Sequence, residues 1–242
     1  MTQSRSARIG TVLSLAIAAG AGLLAFNAQQ PAPARGPAPT LTRPASPTRT
    51  ADADGFLRRW LLLEPLKVPG QLTETAVLTA VKAAQLTGDE PGASTVARLP
   101  KDGDKVTLGG EALTWHAVDT LDYNVNLFHF AYALNKPTSN VLFWVETSVE
   151  APREMPNVRL AIGSNAASVW YLNGVEVIHL YNDRQTVIDD GVSPRVTLAK
   201  GPNLIRAAIV NAGGATDFCA RFLDEHDAPI RNLTVNLGAE RK

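Results

Sequence analysis

The sequence predicts an all-β protein, an antiparallel sandwich with a short helical extension on its N-terminal side. Three observations carry that prediction. Around ten short runs of alternating or β-branched apolar residues follow one another from Val106 onward. Turn residues separate them, among them Gly109-Gly110, Asn173-Gly174 and Lys200-Gly201-Pro202-Asn203. Helical spacing is confined to the stretch between Ala51 and Leu86.

The chain opens with Arg5 and Arg8 ahead of an uncharged run of 18 residues, Ile9 to Phe26, rich in Ala, Leu, Ile and Gly. Positive charge followed by an apolar stretch is the pattern of an export signal. Residues 1–28 therefore read as a signal peptide, or as a signal anchor, because the run is long enough to stay in a membrane. The expectation is an exported, periplasmic or extracellular protein, with membrane attachment only through uncleaved residues 9–26. Residues 29–50 contain Pro31, Pro33, Pro37, Pro39, Pro44 and Pro47, a composition that buries too little apolar surface to order itself. They are expected to form a disordered tether.

Residues 51–242 are long enough for one well-buried domain. The whole chain has 23 basic and 23 acidic residues and a formal charge of zero, which argues against nucleic acid as a partner. Its only cysteine, Cys219, cannot form an intramolecular disulfide, so stability must come from the apolar core. Cys219 itself reads as a small buried residue of a strand, not as a reactive thiol.

Within the domain, residues 51–86 read as a helical lead-in. Asp54 is placed to cap a turn through Leu57, Trp60 and Leu61 that Pro65 stops, and Thr73 starts a helix with Ala76, Val77, Ala80, Val81 and Ala84 on one side. Val106–Leu108 and Leu113–Val118 form a hairpin about Gly109-Gly110. Tyr123–Leu134 and Val141–Val149 read as long strands, the first with apolar residues on both faces. Val158–Ile162 follows. Ser168–Leu172 and Val175–Leu180 are joined by Asn173-Gly174, which tolerates the positive φ of a type I′ turn. Val196–Leu198, Leu204–Asn211 and Phe218–Phe222 complete the set.

The runs Arg159-Leu160-Ala161-Ile162-Gly163-Ser164-Asn165 and Val169-Trp170-Tyr171-Leu172-Asn173-Gly174-Val175-Glu176-Val177 resemble the galactose-binding-like jelly-roll domains, modules akin to carbohydrate-binding modules that occur with bacterial acetylxylan esterases and glycoside hydrolases. Leu198 to Ile205 is similar to their closing strand-turn-strand, Phe218–Phe222 to their last strand, and Trp60 to Pro65 to an opening strand, against the helical reading of that stretch. The resemblance spans about Val141 to Phe222 and implies a jelly-roll sandwich with a polysaccharide or oligosaccharide as partner. It also implies a structural calcium, for which Asp183, Asp189, Asp190 and Asp217 offer oxygen donors. Where the family often has an acidic pair this chain has Asn165-Ala166.

Candidate site residues follow from side-chain chemistry. Tyr181, Asn182, Asp183 and Arg184 place an aromatic ring, an amide, a carboxylate and a guanidinium together, the mixture that a sugar needs for its C–H face and its hydroxyls. Asn165, Trp170 and Tyr171 are expected to join them from a neighbouring loop and strand. No Gly-x-Ser-x-Gly elbow occurs. For an ester hydrolase of the acetylxylan-esterase kind no catalytic constellation is identifiable in the sequence; the candidates that the fold could bring together are Ser164 and His226, next to Asp224 and Glu225. His116, His129, His179 and His226 lack zinc-ligand spacing, and His129 reads as a hydrogen-bonded residue inside a sheet. Trp60, Trp115 and Trp144 sit in apolar runs and read as core. No cofactor is implied. The leading expectation is a non-catalytic carbohydrate-binding accessory protein; the alternatives are a carbohydrate esterase and a structural or protein-binding envelope domain.

Overall fold

The computed structural model describes residues 41–85 and 99–238. The expected signal segment 1–28 and residues 29–40 of the expected tether lie outside them. Among the described residues the strands are β1 (Leu41–Thr42), β2 (Thr48–Thr50), β3 (Arg59–Leu63), β4 (Leu66–Lys67), β5 (Lys105–Leu108), β6 (Glu111–Thr120), β7 (Val125–Asn126), β8 (Val141–Ala151), β9 (Met155–Ser164), β10 (Ala167–Leu172), β11 (Val175–Leu180), β12 (Gly191–Val192), β13 (Val196–Leu198), β14 (Gly201–Asn211), β15 (Asp217–Leu223) and β16 (Thr234–Asn236). The helices are α1 (Glu74–Ala83) and α2 (Leu127–Ala133). Neither is long and apolar enough to cross a membrane.

All strand pairs are antiparallel and fall into two sheets. The larger has the order β1-β6-β3-β8-β14-β10-β11, and the smaller β12-β9-β15-β7. This is the predicted all-β sandwich. Its interior holds Trp60, Leu62, Phe143, Val145, Ile205, Ile209 and Trp170 from the larger sheet, with Leu160, Ile162, Phe218 and Phe222 from the smaller. Trp60, Trp170 and Phe218 meet edge-to-face, with centroids 4.9 Å apart for Trp60–Phe218, 5.5 Å for Trp170–Phe218 and 6.2 Å for Trp60–Trp170. Such pairs add about 0.5–1.5 kcal/mol each to the burial of their area.

The back of the larger sheet carries a second apolar cluster. Leu61, Leu63, Leu142, Trp144, Val169, Ala208 and Val210 pack with Val77, Ala80 and Val81 of α1. Thr73 is the N-cap residue, as the sequence predicts, and the buried stripe Val77, Ala80, Val81 and Ala84 follows helical spacing. Trp144 Nε1 donates to the carbonyl of Ala84 at 2.8 Å, meeting one of the carbonyls a helix end leaves open. Strand β8 is therefore buried on both faces, and it reads Val-Leu-Phe-Trp-Val without alternation.

Three expectations are corrected. Residues 59–63 form a strand, not a helix, because their Trp-Leu-Leu-Leu run is apolar on both faces and lies between β6 and β8. Asp54 caps no helix; Asp52 holds that turn instead, its Oδ1 accepting from the amides of Asp54 and Phe56. In the second case, Tyr123–Leu134 is not one strand. Only Val125–Asn126 pairs, and α2 follows with Asn126 as its cap, its side chain accepting from the His129 amide at 2.7 Å. The buried residues Leu127, Phe130 and Ala131 are spaced i, i+3, i+4, a helical stripe inside an apparent alternation. Third, residues 41–50 of the expected tether are partly ordered: β1 pairs with β6 and β2 with β16. Pro44 and Pro47 fall between these short strands, where no ladder amide is needed.

A buried ion pair fixes the start of β3. Arg59 is 2% exposed and donates to both oxygens of Asp119 at 2.7 and 2.8 Å, and to the carbonyl of Ser46 at 2.7 Å. Burial raises the Asp119 pKa, but the hydrogen bonds and charge of Arg59 and the charge of Arg49 outweigh it, leaving the carboxyl below its ordinary 3.8. Glu64 is likewise held below its ordinary 4.5: burial raises it, and Lys136, His116 and the Thr114 amide lower it more. Carboxyls depressed in the folded state take up protons first in the unfolded chain. Stability should therefore be full above those ordinary values and fall as the pH drops through 4.5 and 3.8 and below. Asp119→Ala, which strands Arg59, is expected to cost about 3 kcal/mol in urea unfolding near neutral pH. A loss below about 0.5 kcal/mol would show that solvent already screens the pair. Cys219 is 1% exposed, and burial, helped by the nearby Asp189 and Asp217 charges, pushes its thiol up to about 11. It should resist an aromatic disulfide reagent at about pH 8 until denaturant is added; fast reaction in the native protein would contradict this burial.

Candidate functional site

Hairpin β10–β11 builds the site. Asn173 and Gly174 have φ of 53° and 86°, the two positive values a type I′ turn requires. Side chains alternate along β10, so Ser168, Trp170 and Leu172 face the core and Val169 and Tyr171 face the back of the sheet. Across the hairpin Val169 pairs with His179 and Tyr171 with Glu176, with a bulge after Trp170. On the other side Tyr171 pairs with Arg206 of β14. Tyr171, Glu176, His179 and Tyr181 are thereby gathered on the outer face of the last strand of the larger sheet.

Their contacts are specific. The His179 and Tyr181 rings stack with centroids 5.1 Å apart and planes 18° from parallel. His179 Nδ1 lies 3.0 Å from Glu176 Oε1. Tyr181 is tied to the lead-in by the Asn182 amide, which donates to the carbonyl of Leu72 at 2.7 Å, two residues before Glu74 opens α1. Arg206 sits behind Tyr171, its Nε donating to the fully buried Glu146 at 2.8 Å and its guanidinium 5.9 Å from the Trp144 ring. The Tyr171 hydroxyl is pushed up to about 12 by burial and by the charges of Glu176 and Tyr181. Tyr181 is raised by burial and by Glu74 and Glu176. Both phenols thus remain protonated donors at neutral pH.

The structure distributes the expected site residues unevenly. Tyr171 and Tyr181 share the patch, and Asn182 and Asp183 are exposed beside it. Arg184 turns to Asp190 in an ion pair. Trp170 does not join them: it is wholly buried, with Nε1 donating to Ser168 Oγ at 2.9 Å. Asn165 spans a turn, donating to the Ala215 carbonyl at 3.0 Å and accepting from the Asp217 amide at 2.9 Å. Gly163 lets the loop after β11 cross close by, since a Cβ there would stand 2.3 Å from the Val187 carbonyl oxygen. Glu176 and His179 are functional candidates that the residue pattern did not bring out. The signal was present in the Asn-Gly turn, which sets Glu176 opposite Tyr171 once the register is counted outward.

Ser164 and His226 are not brought together. Ser164 is fully buried, its Oγ donating to the Ala166 carbonyl at 3.0 Å. It pairs with Phe218 at one end of the β9–β15 ladder, whereas His226 lies on an exposed turn beyond Leu223 at the other. The five steps between Phe218 and Leu223 alone span about 17 Å. Of the expected calcium donors, Asp189 is held by Arg221, Asp190 by Arg184 and Asp217 by the Thr186 hydroxyl; Asp183 is exposed. Among the described residues no three His, Cys, Asp or Glu side chains converge to hold a metal. His129 lies on α2 instead of in a sheet, and its Nδ1 is buried without a hydrogen-bond partner. With His116, Leu41, Val118 and Phe130 it lines a cavity of about 200 Å³ at the β1–β6 side of the larger sheet. A shallower hollow of about 400 Å³ adjoins it, lined by Arg43, Pro47, Leu61 and Leu237 among others.

No protein-family description matches this chain, and no curated protein matches it. Solved structures align with it partially. A β-glucosidase from Kluyveromyces marxianus does so at 17% identity and a TM-score of 0.37, over 59% of this chain and 20% of that one. The PA14 sugar-binding domain from an RTX adhesin aligns at 10% identity and a TM-score of 0.41, over 77% of this chain and 100% of that domain. The GH31 α-xylosidase from Xanthomonas citri aligns at 13% identity and a TM-score of 0.30, over 79% of this chain and 19% of the enzyme. The aligned part of this chain spans about a fifth of the length of either glycosidase.

Proposed function

We propose that the protein is a non-catalytic carbohydrate-binding module, exported by its N-terminal segment, that holds a polysaccharide at the Tyr171–Glu176–His179–Tyr181 patch. The observation that carries this reading is the stacked Tyr181–His179 pair at the sheet edge, His179 exposed and Tyr181 half-buried, with a carboxylate 3.0 Å from the imidazole. A pyranose presents an apolar C–H face and a rim of hydroxyls. The aromatic rings receive the face, and Glu176, the side-chain amide of Asn182 and Asp183 accept or donate at the rim. No bond is broken in this mechanism; the glycan is held and released.

The test is affinity electrophoresis of the purified full chain in gels containing plant polysaccharides or glycol chitosan, run beside an assay of acetate release from acetylated xylan. Retardation without acetate is expected, and Tyr181→Ala should weaken binding roughly tenfold. Acetate release would overturn the non-catalytic reading. Absence of both signals would overturn glycan binding itself.

A further inference from the structure

The charge around the patch is uneven. Glu176 lies within it, and Glu74 opens α1 beside Tyr181. Asp183 is exposed two residues after Tyr181. The basic groups at hand are already engaged, Arg184 with Asp190 and Arg206 with Glu146. Among the described residues no Lys or Arg forms an ion pair with Glu74, Glu176 or Asp183. Glu176, 3.0 Å from the His179 imidazole, and Glu74, beside Tyr181, thus put negative charge next to the stacked rings, and the negative face of an aromatic ring attracts cations.

Resting on the reading of this patch as a glycan site, we infer that it selects glycans bearing positively charged amino groups over neutral and uronic-acid glycans. A neutral sugar gains the stacking and hydrogen bonds alone. An ammonium group on the ring adds attraction to Glu176 and Glu74 and a cation–π contact with Tyr181. A uronic carboxylate in the same position meets like charge.

The experiment is calorimetric titration of the full chain at about pH 7.5 and low salt with three tetrasaccharide probes of different charge. These are N-trimethylated chitotetraose, which is permanently cationic, cellotetraose, which is neutral, and tetragalacturonate, which is anionic. The cationic probe should bind about tenfold more tightly than cellotetraose, and tetragalacturonate most weakly. The double variant Glu74→Gln, Glu176→Gln should cut the preference, read as the ratio of cationic-probe to cellotetraose affinity because Glu176 also meets the rim hydroxyls, to about threefold or less. Added salt should shrink the preference as well. Equal affinities, or preference for the anion, would overturn the charge selection and leave glycan binding standing. A preference that survives in the double variant, with its unfolding transition intact, would overturn the assignment to these carboxylates. Binding of none of the three would overturn glycan binding and the selection together.

Discussion

Everything at the candidate site depends on Trp170 pointing inward. Its ring is fully buried and meets Trp60 and Phe218 edge-on between the two sheets. A strand's side chains alternate strictly, so a one-residue slip would expose Trp170 and bury Tyr171. The packing of Trp170 thus dictates that Tyr171 faces outward. The type I′ turn then fixes which residue of β11 stands opposite, and that residue is Glu176. A core contact and a two-residue turn together position a surface constellation neither of them touches.

The back of the larger sheet shows how polar groups are accommodated where the sandwich has no second sheet to cover it. Helix α1 covers its middle with an apolar stripe. Elsewhere on this face the sheet carries charge in pairs, Arg59 with Asp119 and Arg206 with Glu146. A lone buried charge costs several kcal/mol, whereas a hydrogen-bonded pair offsets much of that cost. The aromatic patch lies where this paired region gives way to solvent. Tyr171 is consequently rigid at its base, against Arg206, and wet at its rim.

Much of the fold was legible in the sequence, and what was not has identifiable causes. Asn173-Gly174 and Gly109-Gly110 were readable because positive φ leaves few residue choices. Thr73 and the Val77, Ala80, Val81 stripe were readable because helical spacing persists for ten residues. Tyr123–Leu134 was misleading because aromatic and β-branched residues crowd both periodicities, and only the Asn126 cap separates them. Arg59–Leu63 was ambiguous because its apolar run of four residues, Trp60 to Leu63, has no period of its own. At the site, Tyr181 was visible by composition, but the loss of Trp170 to the interior and the gain of Glu176 and His179 required the register. Ser164 looked chemical only until its burial was known.

The pairing of β2 with β16 joins the two ends of the folded region. Thr48 lies opposite Asn236 and Thr50 opposite Thr234, so the chain enters and leaves at the same end of one antiparallel pair. Tension applied through the preceding and following residues loads these bonds one after another, as a zipper is opened, and not all at once as in shear. Once β1 has left β6, the pair is the next to yield under a mechanical pull. Its release takes β16 away from the edge of β8 at Val149 and Glu150 while Trp60, Trp170 and Phe218 remain interlocked. A domain held to a surface by its ends would give at this clasp and keep the aromatic edge, at the opposite side of the sheet, in working order.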